Sequence, residues 1–227
     1  PPEFLLTHPV TSSRISDAFN AADQLEITGG KKNTLNFELI KGKLKARYNA
    51  SSPQAAKRYF ESIYKNNPSN ENTFAYIASL KSSGNFLEAT NLNNKLLEKF
   101  PKNLILNITK AEILLSAQQY DRAEVSIEEV LKISPRNYPA SIVKAKILSA
   151  KNESIKAEEI LRDLLIKKNK DPSIWMQLSE IQRSGKNIVG YHLSKGEYFL
   201  LIGDFQNALN QFQFAFGLSG HSFQTSE

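Results

Sequence analysis

From residue 53 to residue 170 the apolar positions fall at helical spacing and never in sustained alternation with polar ones. Phe60 recurs with Ile63, Leu92 with Leu96, Ile127 with Val130 and Leu131, and Leu161 with Leu164 and Leu165. Steps of three and four residues line one side of a helix. Each group sits between a recurring alanine and a recurring proline. Ala56, Ala89, Ala123 and Ala157 follow one another at 33, 34 and 34 residues. Pro68, Pro101 and Pro135 come twelve residues after the first three alanines; Asn169 fills the fourth slot, with Pro172 three residues on. Turn-forming Gly84-Asn85-Phe86 and Gln119-Tyr120-Asp121 precede Ala89 and Ala123. A period near 34 accommodates two helices of about 12–14 residues and two short turns. The alanine marks where the second helix crosses the first, because a small side chain permits close approach. The proline ends that helix, since it has no N–H to donate and its ring clashes with the preceding turn. The pattern predicts an all-α stack of helical hairpins over residues 35–217.

Both ends depart from the period. Gly196, Gly203, Phe205, Ala208, Phe212 and Ala215 make a final repeat, but Ala208 follows Ala157 by 51 residues, one and a half periods. An extra helix is therefore predicted over about 173–184, with Trp175, Leu178 and Ile181 on one side, and with it a change of curvature before Ser184-Gly185-Lys186-Asn187. The polar, glycine-containing stretch 218–227 is expected to be a flexible tail. Residues 1–27 do not fit the repeat and predict a short helix from about Ile15 to Leu25 with Ser12 or Ser13 as cap. A linker, 28–34, contains Gly29-Gly30.

Charge changes the picture locally more than globally. The formal net charge is +6, yet residues 31–58 hold eight lysines and arginines against Glu38 alone. At about 100° per residue Lys41 and Lys45 share one helix face while Lys43 and Arg47 share another, so the positive charge is split. That favours a solvated helix or an acidic protein partner over nucleic acid, which calls for focused cations with interleaved aromatics. No cysteine is present, which excludes disulfides, thiolate metal sites and cysteine nucleophiles. No stretch approaches the roughly 20 apolar residues of a membrane span. The histidines are His8, His192 and His221; none has the spacing of His-Glu-x-x-His. Neither catalysis nor a tightly held metal is expected from this chain.

The alanine, proline and glycine register resembles tetratricopeptide repeats. The resemblance implies a right-handed superhelix of hairpins. It places Ala111 and Ala145 on the small position of the first helix and Gly84 on the turn glycine. Lys110 and Lys144 occupy a slot usually taken by leucine. It further implies a partner-binding groove at position five of each first helix, here Phe74, Ile108 and Ile142, although these three are equally readable as core residues. Position nine, where chaperone-binding members carry asparagine, holds Ala78, Glu112 and Lys146, so that carboxylate clamp is absent.

The opening segment carries a second resemblance. Thr7-His8-Pro9 with Arg14-Ile15 resembles the closing segment of zinc metallopeptidases related to the CAAX prenyl proteases. In the bacterial, BepA-like branch that assists outer-membrane β-barrel assembly, this segment leads into tetratricopeptide repeats. The resemblance implies a periplasmic parent whose zinc and catalytic residues lie in a preceding domain. His8 would then stand near the active site and Arg14 against a carboxylate of that domain. Partners would be polypeptide clients, outer-membrane assembly proteins and the protease domain itself, with the Lys41, Lys43, Lys45 and Arg47 patch free to hold an acidic face. A stand-alone adaptor or an oligomerisation scaffold is the alternative.

Overall fold

A computed structural model describes residues 16–17, 19–21, 34–48 and 51–223, the last three of these without their side chains. The chain divides after Thr34 into two compact units. In the first, residues 16–17 and 19–21 are helical. His8, Arg14, the candidate caps Ser12 and Ser13 and the Gly29-Gly30 linker lie outside the described residues.

Among its described residues the second unit contains eleven helices and no strand. They are α1 (Leu35–Tyr48), α2 (Pro53–Asn66), α3 (Asn70–Ser82), α4 (Phe86–Lys99), α5 (Leu104–Ser116), α6 (Tyr120–Ile133), α7 (Tyr138–Ala150), α8 (Ser154–Lys168), α9 (Pro172–Ser184), α10 (Ile188–Leu201) and α11 (Phe205–Phe223). From α3 onward the helices alternate between a first and a second type. First helices begin at Asn70, Leu104, Tyr138 and Pro172, and second helices at Phe86, Tyr120, Ser154 and Ile188, each series in steps of 34.

Local chemistry enforces those boundaries. The residue before each first helix is Ser69, Asn103, Asn137 or Asp171, and each side chain accepts a hydrogen bond from a backbone N–H in the first turn. Those N–H groups have no partner inside the helix, so a short oxygen-bearing side chain fits there. Between first and second helices the chain reverses through one residue of positive φ: Gly84 at 80°, Gln118 at 59°, Asn152 at 63° and Lys186 at 62°. Glycine takes this conformation freely; for other L-residues it costs about 1–2 kcal/mol. Gln118→Gly and Lys186→Gly are therefore each expected to stabilise the array by about 0.5–1 kcal/mol, read from thermal melts of the single variants.

The recurring alanines sit at the helix crossings. Ala56, Ala89, Ala123, Ala157 and Ala208 are all buried, as are Ala111 and Ala145 on the first helices. Ala123 packs with Ala111, Ile127 and Val130 in one of three successive apolar clusters. Enlarging it forces the crossing apart, so Ala123→Leu is expected to cost about 1–3 kcal/mol. An unchanged melting temperature would contradict this packing.

Two predicted features are corrected. The helix expected over 173–184 as an insertion is α9, and it starts in strict phase with the first helices before it. The break comes later. From the turn at Lys186 to the turn at Gly203, which has φ 81°, is 17 residues, half a period. Helix α10 thus serves as the second helix of one hairpin and the first of the next. Gly196 makes the double use possible, because a methyl group there would collide with the Phe212 ring. The second correction is at the end, where α11 continues through Phe223, so residues 218–223 are helical.

The start is irregular too. Helix α1 packs chiefly against α3, its fellow first helix, rather than against α2. The contact is backbone on backbone: Gly42 is buried against the Glu71 carbonyl and the Ala75 nitrogen.

Candidate functional site

In a repeat array the side chains of successive first helices meet along one face, and position nine of each falls near the same line. From α1 onward that position is Lys43, Ala78, Glu112, Lys146 and Glu180. Because α1 lies so close on α3, its lysines reach acids of the array itself. Lys41 stands 3.0 Å from Glu71, Lys45 pairs with the same carboxylate, and Lys43 reaches Glu112 at 3.3 Å. The N-terminal end of α1 is tied as well: Asn103 donates to Asn36 and Asn70 donates to Glu38. The basic patch expected to face another protein is thus largely neutralised from within. Among the described residues Arg47 alone of the four lacks an acidic partner, and its guanidinium lies over the Tyr48 ring.

Glu112 is the centre of this face. It accepts from Lys43 and, at 2.5 Å, from Lys81 on α3. Burial alone would raise its pKa, but the two ammonium groups outweigh that and hold its carboxyl below the usual range. Lys146, one repeat along, forms no hydrogen bond or ion pair among the described residues. Its side chain is exposed to water, and the neighbouring helices remove only part of its solvation. That loss of solvation pushes its pKa down, with repulsion from Lys81 and Lys43 added and attraction to Glu112 insufficient to reverse it. Three cations around one carboxylate leave this part of the face with two uncompensated positive charges.

The residues read as groove positions divide. Phe74 is 1% exposed and Ile108 6%, and each belongs to an apolar cluster, Phe74 to one running from α1 to α5 and Ile108 to one running from α5 to α7. They are core, not groove: α1 covers α3, and neighbouring helices close over Ile108. Ile142 is half-buried at the edge of the third cluster. Beyond α1 the open stretch of the face therefore runs from Glu112 through Ile142 and Lys146 to Met176, Glu180 and Arg183 on α9. Met176 continues the position-five series; its sulfur lies 3.4 Å from the Lys195 ammonium. Glu180 pairs with Arg183 at 2.7 Å.

The opposite surface accounts for a departure from the repeat pattern. Lys144, standing where leucine is usual, reaches Glu124 at 2.5 Å and Glu128 at 2.7 Å on α6. Lys151 adds Asp121 and Glu124. The interface of α6 and α7 is thus joined by ions at its rim rather than by a leucine. Near the C-terminal end a buried polar chain replaces apolar contact: Ser194 donates to Gln182, and Gln182 to Glu158. His192 is half-buried and 2.8 Å from Gln211, tilted over the Phe214 ring. That is a packing role. Among the described residues no three histidine, aspartate or glutamate side chains converge as metal ligands, and no helix is long and apolar enough to cross a membrane.

Residues 114–181 match the tetratricopeptide-repeat family. No curated protein matches the chain. Among solved structures, a thermophilic tetratricopeptide-repeat protein from Thermus thermophilus superposes with a TM-score of 0.63 at 16% identity, over 81% of this chain and 99% of the other. A tetratricopeptide-repeat protein from Parabacteroides merdae gives 0.52 at 14% identity, over 90% and 84%. The shared property is the fold: an all-α tetratricopeptide-repeat solenoid.

Proposed function

We propose that this solenoid is a polypeptide-binding module, and that its partner lies along the first-helix face from Glu112 to Arg183. The observation that carries the reading is Lys146, an exposed ammonium with no ion-pair partner among the described residues, on the helix face that also carries Ile142 and Met176. A carboxylate from an extended or helical partner would neutralise it, and the partner's apolar side chains would cover Ile142 and Met176. The partner accordingly carries an acidic residue flanked by apolar ones.

The opening Thr7-His8-Pro9 and Arg14-Ile15 support a finer reading, in which the module belongs to a periplasmic zinc metallopeptidase and presents clients such as outer-membrane β-barrels to it. Zinc would be held by a His-Glu-x-x-His of a preceding domain, not by residues of this chain. Binding of an unfolded outer-membrane β-barrel polypeptide to the chain and to Lys146→Glu tests the first part: the variant is expected to bind at least about tenfold more weakly, a loss of about 1.4 kcal/mol. Equal binding would reject the face. A reading frame encoding a signal peptide and His-Glu-x-x-His upstream of residue 1 would support the protease parent, and its absence would reject it.

A second reading, an oligomerisation scaffold, is favoured by α11, where Phe205, Leu209 and Phe216 are exposed without any charged residue between Phe205 and Phe223. Light scattering over a dilution series separates the two.

A further inference from the structure

Away from the first-helix face, a cleft of about 440 Å³ opens where the end of α6, the start of α7 and the end of α8 meet. Its apolar wall is formed by Leu131, Ile160 and Leu164, all half-buried. Around the wall stand Arg136, Lys167 and Lys168. None of the three forms an ion pair among the described residues; Lys168 lies over the Tyr138 ring, 4.9 Å from its centre. Lys144 also borders the cleft, but Glu124 and Glu128 neutralise it. Asp163 supplies the one carboxylate of the lining, which leaves a net charge of +2. Ser141 completes the site. It is 7% exposed, lines the cleft, and its hydroxyl makes no hydrogen bond among the described residues.

Each of these features favours a bound ligand. The Ser141 hydroxyl, with no protein partner among the described residues, is free to donate to a ligand in the cleft. Three cations gathered at one rim repel one another. Half-covered leucines and an isoleucine expose apolar area that a ligand would hide. We infer that the cleft binds a small amphipathic anion, a carboxylate or phosphate on an aliphatic or aromatic body. The anionic head sits among Arg136, Lys167 and Lys168 and accepts from Ser141; the body lies on Leu131, Ile160 and Leu164. The volume is that of a small-molecule site, for which roughly 300–1,000 Å³ is usual. The fixed hydrogen bonds of the Tyr138 hydroxyl to Asp171 and Ser173 hold its ring as a rigid side of the cleft.

The full chain, isotopically labelled for NMR, would be titrated with 4-phenylbutyrate, with the neutral 4-phenylbutanol and with the cationic 4-phenylbutylamine at equal ionic strength. The anion is expected to shift the methyl signals of Leu131, Ile160 and Leu164 with saturation and to bind at least about tenfold more tightly than the alcohol. The combined variant Arg136→Ala, Lys167→Ala and Lys168→Ala changes only exposed, ion-unpaired side chains and is expected to fold, which its melting curve checks. It should abolish the preference for the anion while leaving weak binding of the alcohol. Equal affinities for the three probes, a preference that survives in the variant, or shifts centred on other residues would each overturn the site.

Discussion

Gly42→Ala is expected to destabilise the protein by about 2 kcal/mol, against the sign that helix propensity gives. Gly42 lies within α1, where alanine in its place ordinarily stabilises by about 1 kcal/mol. Here the added methyl would sit well inside contact distance of the Glu71 carbonyl oxygen and 3.1 Å from the Ala75 nitrogen. Both neighbours are backbone, so no rotamer change relieves the collision. Helix α1 must withdraw from α3, and that loosens everything fixed by the contact: fully buried Leu39, the two lysines on Glu71 and the reach of Lys43 to Glu112. Hydrogen exchange should show the loss first in α1 and α3, since neighbouring repeats support one another pairwise. A stabilised Gly42→Ala variant would mean that α1 does not lie on α3. Gly84→Ala makes a useful contrast. Nothing lies near its added methyl, so only the positive φ is strained, at about 1 kcal/mol.

This contact also marks the limit of what the sequence discloses. Period, helix positions and crossing alanines were readable because each depends on neighbours within one repeat: a cap, a turn, a small residue at a fixed offset. The 34-residue series of caps, Ser69, Asn103, Asn137 and Asp171, was equally present, and with Lys186 in the turn series it locates the half-period step after α10. Counting alanines misplaced that step because Tyr191, not an alanine, holds the crossing slot of α10. The basic patch on α1 was visible, but its acidic counterparts Glu71 and Glu112 lie up to 69 residues away, and no local pattern couples them. Phe74 and Ile108 went the same way: whether position five is groove or core depends on what covers it, and for Phe74 that is the irregular α1. Asn93 was not foreseeable at all. It is fully buried in a slot that Ile127 and Leu161 fill one and two repeats later, and its amide nitrogen donates to the Leu106 carbonyl while Oδ1 has no partner among the described residues.

Glu112→Gln should produce the second large effect, because it leaves Lys43, Lys81 and Lys146 facing one another without an anion. Glu112 is 20% exposed in its side chain and Lys81 25%, between the surface pairs worth about 0–1 kcal/mol and the buried pairs whose breakage costs about 3–5. A loss of about 2 kcal/mol is expected. The repulsion predicts more than the loss. Lys146→Gln alone should be neutral or stabilising, since its ammonium is repelled by Lys81 and Lys43 and has no ion pair among the described residues, and it should recover part of the deficit when added to Glu112→Gln. A destabilising Lys146→Gln would show that its charge has a partner inside the chain. The same carboxylate sets the response to acid. Glu112, Glu71 and Glu124 are all held below the ordinary value of 4.5 by their lysines. As pH falls the unfolded chain takes up these protons before the folded one, so stability is complete above about 4.5 and declines as pH drops through the folded values. Glu112→Gln is expected to start lower at neutral pH and to lose less on acidification. Parallel stability curves for the two proteins between pH 7 and pH 3 would place the acid sensitivity elsewhere.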